Sequence, residues 1–212
     1  MRVAEPTIER LVQYHRLLET LREEGHKVVS SYQIGEALSF KASQVRKDLS
    51  YFGEIGKRGV GYHVGRLCNH ITEILSYSSV WRIALAGVGN LGKALLENTT
   101  FRSSKIRFEA LFDIDPEKTG HSISGVPCWH SSEIPRVMRE RYVEILMLAV
   151  PARAAQICLD LAISSGTLKG VLAFTHGSLV VPQEILVFRV DILAELEKLL
   201  FFIKQGKGDS TS

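Results

Sequence analysis

Val80-Trp81-Arg82-Ile83-Ala84-Leu85-Ala86-Gly87-Val88-Gly89-Asn90-Leu91-Gly92 sets a short, mostly apolar run directly before three glycines spaced G-x-G-x-x-G. Such a run bounded by turn residues predicts a buried strand, and the residues from Asn90 to about Thr99 predict a helix opening on the third glycine. In that context the glycines turn the chain tightly and bring backbone N–H groups and the positive end of a helix up to a pyrophosphate. Asp113 closes the next predicted strand, Ile106 to Asp113, 21 residues after Gly92. That is close to the ~20 expected of an acid that accepts hydrogen bonds from an adenosine ribose. A carboxylate there repels a 2′-phosphate, so NAD is favoured over NADP. A mononucleotide-type site, including one for coenzyme A, is the alternative reading of the same glycines.

The rest of the second half continues the alternation. Val143 to Val150 predicts a strand, Ala152 to Ser165 a helix, and Gly170 to Phe174 and Ile185 to Val190 the closing strands. Strand alternating with helix predicts a mostly parallel sheet covered on both faces, a Rossmann-type α/β domain. Val150 and Pro151, leaving the third strand, are placed to line the nicotinamide end, although Pro151 also suits the first turn of a helix. The last helix, Asp191 to Ile203, carries Ile192, Leu193, Leu196, Leu199, Leu200 and Ile203 in a stripe widened by Phe201 and Phe202. That stripe is too apolar to face water alone, and Lys204 to Ser212 reads as a disordered tail.

The first half is helical. Leu11, Leu18 and Leu21 recur at helical spacing from Ile8 to Glu24, and Gly25 suits a left-handed cap. Ser30 with Gln33 fits a capping box opening a short second helix. A third, from Ala42 or Ser43, buries Val45, Leu49 and Phe52 and ends at Gly53. Gly53, Gly56, Gly59 and Gly61 then fall within nine residues around Lys57 and Arg58, a spacing that predicts a hairpin tip. Three helices and a basic glycine hairpin describe a winged helix-turn-helix, whose third helix enters a major groove. Ser43, Gln44, Arg46, Lys47, Ser50 and Tyr51 on that helix, with Lys57, Arg58 and Gly59 in the hairpin, are the candidate DNA contacts. Gln suits adenine edges, Arg and Lys suit guanine or phosphate, and the hydroxyls suit phosphate.

Charge supports this division. The chain has 212 residues and a net charge of +3, but Phe40 to Arg66 holds six basic and two acidic residues, so this window carries +4 and the remainder −1. Concentrated positive charge points to an anionic partner. The domains are therefore expected at 1–79, a DNA-binding winged helix, and 80–190, a dinucleotide-binding sheet, followed by the helix 191–204 and the tail 205–212. No uncharged stretch reaches the ~20 residues of a membrane span, and no secretory signal opens the chain, so a cytoplasmic location is expected. Cys68, Cys128 and Cys158 lack zinc or C-x-x-C spacing and read as buried thiols. His176 is a lone candidate for catalysis, so ligand sensing is favoured over an enzyme; an NAD-dependent or coenzyme A-binding protein with an accessory helical domain is the competing class.

Gln44 to Gly53, Gly56 to Tyr62, Gly87 to Gly92 and Phe112-Asp113-Ile114-Asp115-Pro116-Glu117-Lys118 together resemble the Rex family of bacterial redox-sensing repressors. The resemblance implies a homodimer bound to a palindromic double-stranded operator when NAD+ prevails and released by NADH. It implies that the terminal helix is exchanged between subunits, that Lys118 and Phe174 join the NAD(H) site, and that Arg16 and Asp191 link reading head to sensor. The chain departs from the family pattern at Asn98, where a tyrosine is usual, and at Ala173-Phe174-Thr175-His176, where an Asn-Phe-Ala-Pro-like turn is usual. Both are expected near the nicotinamide end, and a divergent paralogue that binds DNA without a redox response is the corresponding alternative.

Overall fold

The computed structural model describes residues 3–53, 56, 59–75, 80–98 and 106–208. The chain divides into two compact units, Met1–Ser79 and Val80–Ser212. In the first, α1 (Glu5–Glu23), β1 (Val28–Val29), α2 (Ser31–Leu38), α3 (Ala42–Ser50), β2 (Tyr62–His63) and α4 (Val64–Ile74) follow in order. Gly25, with φ +83°, lets α1 end in a Schellman turn, in which the His26 N–H donates to the Leu21 carbonyl at 2.9 Å and the Gly25 N–H to Arg22 at 3.1 Å. The expected capping box of α2 is present: the Gln33 N–H donates to Ser30 Oγ, and the Ser30 N–H to Gln33 Oε1. Leu11, Tyr14 and Leu18 of α1, Ile34 of α2, Val45 and Leu49 of α3, and Leu67 and Ile71 of α4 form one core.

The tip of the expected hairpin falls partly outside the described residues. Tyr62–His63 pairs antiparallel with Val28–Val29, which precedes α2 and α3. Two consecutive valines are too short a run to announce a strand, so the partner of this segment was not visible locally. Lys57 and Arg58 lie outside the described residues, whereas Gly59 and Gly61 turn with φ of +79° and +97°.

The second unit is a seven-stranded sheet of order β5-β6-β4-β3-β7-β8-β9. Its elements are β3 (Trp81–Ala86), α5 (Asn90–Glu97), β4 (Ile106–Asp113), β5 (Ser122–Ile123), β6 (Val126–His130), α6 (Ile134–Glu140), β7 (Ile145–Leu148), α7 (Ala152–Ile163), β8 (Gly170–Ala173), β9 (Leu186–Arg189) and α8 (Ile192–Gly208). All pairings are parallel except that of β5 with β6. From β3 the chain proceeds outward through β4 and β6 on one side, then returns to place β7 on the other. The strand order therefore reverses between β3 and β7, where open α/β sheets form their ligand crevice. Ala84, Ala86, Phe112, Leu146 and Leu148 point into one core with α6 and α7, and Ile83, Leu85, Leu111 and Met147 into a second beside α5.

Two elements extend the sequence reading. The β5-β6 edge and α6 had no expectation attached, because Pro127 interrupts one run and an Ile-Pro pair opens the other. At the end of the chain α8 continues to Gly208 rather than giving way to a tail after Ile203. Lys204 and Gln205 are good helix formers, and a lysine in the last turns complements the negative end of the helix dipole. The three cysteines are buried. Burial, then the charge of Asp113, pushes the Cys128 thiol up to about 11, and burial also raises Cys158. Among the described residues no helix is long and apolar enough to cross a membrane.

Candidate functional site

On α3 the sequence candidates do share an outer surface: Ser43, Arg46, Lys47, Ser50 and Tyr51 are exposed while Val45 and Leu49 are buried. Arg46 donates to Ser31 Oγ at 3.1 Å, and Ser50 Oγ donates to the Lys47 carbonyl at 2.9 Å. Gln44 is only half-buried, and its Nε2 donates to Asp48 Oδ1 at 2.9 Å.

Asp48 has no role in the sequence reading, because nothing along a basic helix shows which acid turns inward. It is 3% exposed. Arg10, 38 residues earlier on α1, donates to it twice, through Nε at 2.6 Å and Nη2 at 2.8 Å, and Tyr14 OH donates at 2.9 Å. Burial alone would raise the Asp48 carboxyl, but the bonds from Arg10, Gln44 and Tyr14 outweigh it and hold the group below the usual carboxylate range. The negative charge is thus cancelled from behind by Arg10 and does not dilute the exposed positive surface of α3. Because the folded value is depressed, this contribution is complete above the unfolded carboxyl's ordinary value of about 3.9 and is lost as pH falls through the lower folded value. Thermal unfolding followed from pH 7 to pH 2 is expected to show the first unit losing stability below about pH 4, and Asp48→Asn is expected to flatten that slope.

In the second unit the glycine loop joins β3 to α5 in the β3/β7 crevice. Gly87 has φ +93°, and a side chain there would meet the Ala149 carbonyl oxygen at 2.5 Å, so the loop packs directly on the segment leaving β7. At Gly92 a Cβ would stand 2.1 Å from the Gly87 carbonyl oxygen, which keeps α5 close against the turn. Nothing lies within 4 Å of a Cβ built on Gly89. Two glycines are thus required by the chain's own packing, while the middle one opens on space at the N-terminus of α5. That is the division of labour a bound pyrophosphate needs. Asn90 and Leu91 are exposed on the first turn of α5.

Asp113 faces inward. Its Oδ2 accepts the Val88 N–H at 2.8 Å and Lys118 Nζ at 3.2 Å, and its Oδ1 accepts the N–H groups of Ile114 and Asp115 at 2.9 and 3.0 Å. Burial opposes its charge, but the Val88 and Asp115 amides and Lys118 prevail and keep its carboxyl below the ordinary range. The side chain of Val88 is fully buried in the core beside α5. Asp113 therefore acts first as the anchor of the glycine loop. Lys118 spans Asp113 and Asp115, at 3.2 and 3.3 Å, and Asp115 is the more exposed of the two acids.

Past β7, Val150 is half-buried and Pro151 is exposed as the N-cap of α7, and the Phe174 N–H after β8 donates to the Leu148 carbonyl at 2.9 Å. Asn98 caps the same helix that the glycine loop opens. It stands at the C-terminal end of α5, about 12 Å along the helix from the glycine loop at 1.5 Å per residue. Arg16 is exposed on α1. Asp191 accepts the Ala194 N–H at 3.0 Å, capping the start of α8, and His176 Nδ1 lies 3.1 Å from its other oxygen.

Comparison with known proteins matches residues 2–50 to a family model described as the putative DNA-binding protein N-terminus, and residues 78–177 to one described as the CoA binding domain. A redox-sensing transcriptional repressor Rex of Lactobacillus gasseri is 40% identical over 207 residues, covering 98% of this chain and 96% of the relative. That of Listeria welshimeri is 37% identical over 203 residues, covering 96% and 94%. Among solved structures, RSP in complex with beta-NAD+ and operator DNA matches with a TM-score of 0.92 at 30% identity, over 99% of this chain and 96% of the other. RSP in complex with beta-NADH matches with a TM-score of 0.88 at 28% identity, over 99% and 98%.

Proposed function

This chain belongs to the Rex family of redox-sensing transcriptional repressors, and from that premise we propose that it binds operator DNA through α3 and holds NAD(H) at the glycine loop. NADH favours the arrangement that releases DNA. The observation that carries the reading is the pairing, in one chain, of an exposed basic α3 with a glycine loop whose middle glycine opens on free space. The relatives are named repressors, which weighs against the enzyme and coenzyme A readings.

Lys47 and Arg46 supply phosphate and base contacts from α3, and Ser43, Ser50 and Tyr51 hydrogen-bond to the backbone. Lys57, Arg58 and Gly59 extend the footprint beyond the helix. At the glycine loop, N–H groups at the start of α5 meet the phosphates, and the acids Asp113 and Asp115 disfavour a 2′-phosphate. NAD(H) supplies a nicotinamide whose ring charge and planarity change with oxidation state. The chain's task is to bind the reduced form more tightly in the DNA-incompetent arrangement, since a ligand of equal affinity for both shifts nothing. Val150, Pro151 and Phe174, at the ends of β7 and β8, are the residues placed to make that difference. Arg16 and Asp191 are the oppositely charged residues assigned to the switch.

The test is anisotropy binding to a palindromic duplex from the gene's own upstream region, at one salt concentration, with NAD+, NADH or neither. Selective weakening by NADH supports the reading; equal binding in all three conditions leaves a DNA reader without a redox response. Lys47→Ala is expected to weaken binding about uniformly across sequences and to lower the salt slope by about 1.8, the share of one phosphate contact in each of two half-sites. Its NADH affinity should be unchanged.

A further inference from the structure

We propose that Asp48 is a positioning residue for base recognition: it fixes the side-chain amide of Gln44 in the one orientation that presents a donor and an acceptor to an adenine edge. This rests on the DNA-reading role of α3. Asp48 lies four residues after Gln44, one turn along the helix, and its carboxylate is satisfied by four bonds. Oδ1 receives Arg10 Nη2 at 2.8 Å and Gln44 Nε2 at 2.9 Å, while Oδ2 receives Arg10 Nε at 2.6 Å and Tyr14 OH at 2.9 Å.

An ionised carboxylate only accepts, so Gln44 can meet it only with its nitrogen. Reversing the amide would set a carbonyl oxygen against a carboxylate oxygen in a buried place. The usual ambiguity of a glutamine amide is therefore resolved by chemistry. What remains uncommitted on Gln44 is its carbonyl oxygen and its second N–H, side by side. That pair complements the N6 donor and N7 acceptor of adenine in the major groove. Arg10 and Tyr14 already give Asp48 three strong donors, so the fourth bond is not needed to satisfy the acid. Its effect falls on Gln44, whose freedom is spent before DNA arrives. Tyr14 belongs to the first unit's core and Arg10 is steadied by Thr7 Oγ1 at 3.2 Å, so the anchor is itself held.

The experiment is selection of binding sites from a random duplex library by the full chain, comparing wild type, Gln44→Ala, Asp48→Asn and Tyr14→Phe. Wild type should prefer A·T at one position of each half-site by about tenfold or more. Gln44→Ala and Asp48→Asn should both lose the preference there and keep it elsewhere, because asparagine offers donor and acceptor alike and lets Gln44 reverse. Tyr14→Phe touches only Oδ2 and should retain the wild-type preference while unfolding at a lower temperature. A folded Asp48→Asn that selects as wild type overturns the proposal, as does a Gln44→Ala that does so. If wild type enriches no sequence, the DNA-reading assignment itself fails and the proposal falls with it. Should Asp48→Asn not fold, the wild-type protein still decides. A scalar coupling across the hydrogen bond between the Gln44 side-chain amide nitrogen and the Asp48 carboxyl carbon supports fixed orientation, and a folded protein without that coupling refutes it.

Discussion

Replacing Leu196, Leu199 and Leu200 together with glutamine is expected to convert a dimer into a monomer and to lower operator affinity by about a hundredfold or more. These three share a face of α8 with Ile192 and Ile203. Eight large apolar residues, Ile192, Leu193, Leu196, Leu199, Leu200, Phe201, Phe202 and Ile203, are between 48% and 68% exposed. A monomer does not leave such a continuous surface in water without a reason. The edge strand β9 adds Leu186 and Phe188, 66% and 53% exposed, in the same unit. Fully burying one such side chain is worth ~1.5–3 kcal/mol, so half-exposed ones offer about 1 kcal/mol each. Two copies of eight residues then bring about 16 kcal/mol to an association that costs ~4–15 kcal/mol. Glutamine keeps the helix propensity, so the change tests the surface and not the helix. Sedimentation velocity reports the oligomeric state, and anisotropy on a palindrome and on a single half-site separates lost dimerisation from lost reading. A variant that sediments as wild type would remove α8 from the interface.

Asp113→Ala is expected to weaken NADH binding by about one to two orders of magnitude and leave operator binding without nucleotide unchanged. The carboxylate does not have to touch the ligand for this to hold. Removing it strips the buried Val88 N–H of its acceptor at 2.8 Å, and a buried donor left unpaired costs about 1–3 kcal/mol. At 1.4 kcal/mol per decade that corresponds to roughly 5- to 150-fold. The loss falls on the glycine loop because Val88 sits between Gly87 and Gly89, and it leaves Lys118 paired with Asp115 alone. Asp115→Ala, which removes the more exposed acid and spares Val88, should cost less. Fluorescence titration with NADH, alongside anisotropy without nucleotide, checks the division. Equal loss of both activities in a folded Asp113→Ala would contradict it.

Much of this fold is legible because its signals are local. The capping box at Ser30 and Gln33, the left-handed Gly25 and the glycine pattern at Gly87 each state a backbone requirement within a few residues. The strand Ile106 to Asp113 is bounded as read, since its apolar run and its terminal acid coincide. What escaped was non-local or too short. The pairing of Val28–Val29 with Tyr62–His63 joins two-residue segments across two helices. Asp48 and Arg10 meet from different helices, and a charge pattern along one helix does not say which acid has turned inward. The position of Asp113 was predicted by spacing, but its inward bonds depend on where the Val88 amide points after the Gly87 turn.

The buried cysteines bear on what kind of redox state such a chain could report. At pH 7 a thiol with a pKa of about 11 is ionised in about one molecule in ten thousand, and the thiolate is the form that oxidants attack. Cys128 therefore offers peroxide almost no target, and Cys68 and Cys158 are likewise enclosed by their cores. Disulfide stress and nicotinamide reduction often rise and fall separately in a cell. Enclosed thiols are poor targets for the first, and the proposed nicotinamide site is where the second would enter.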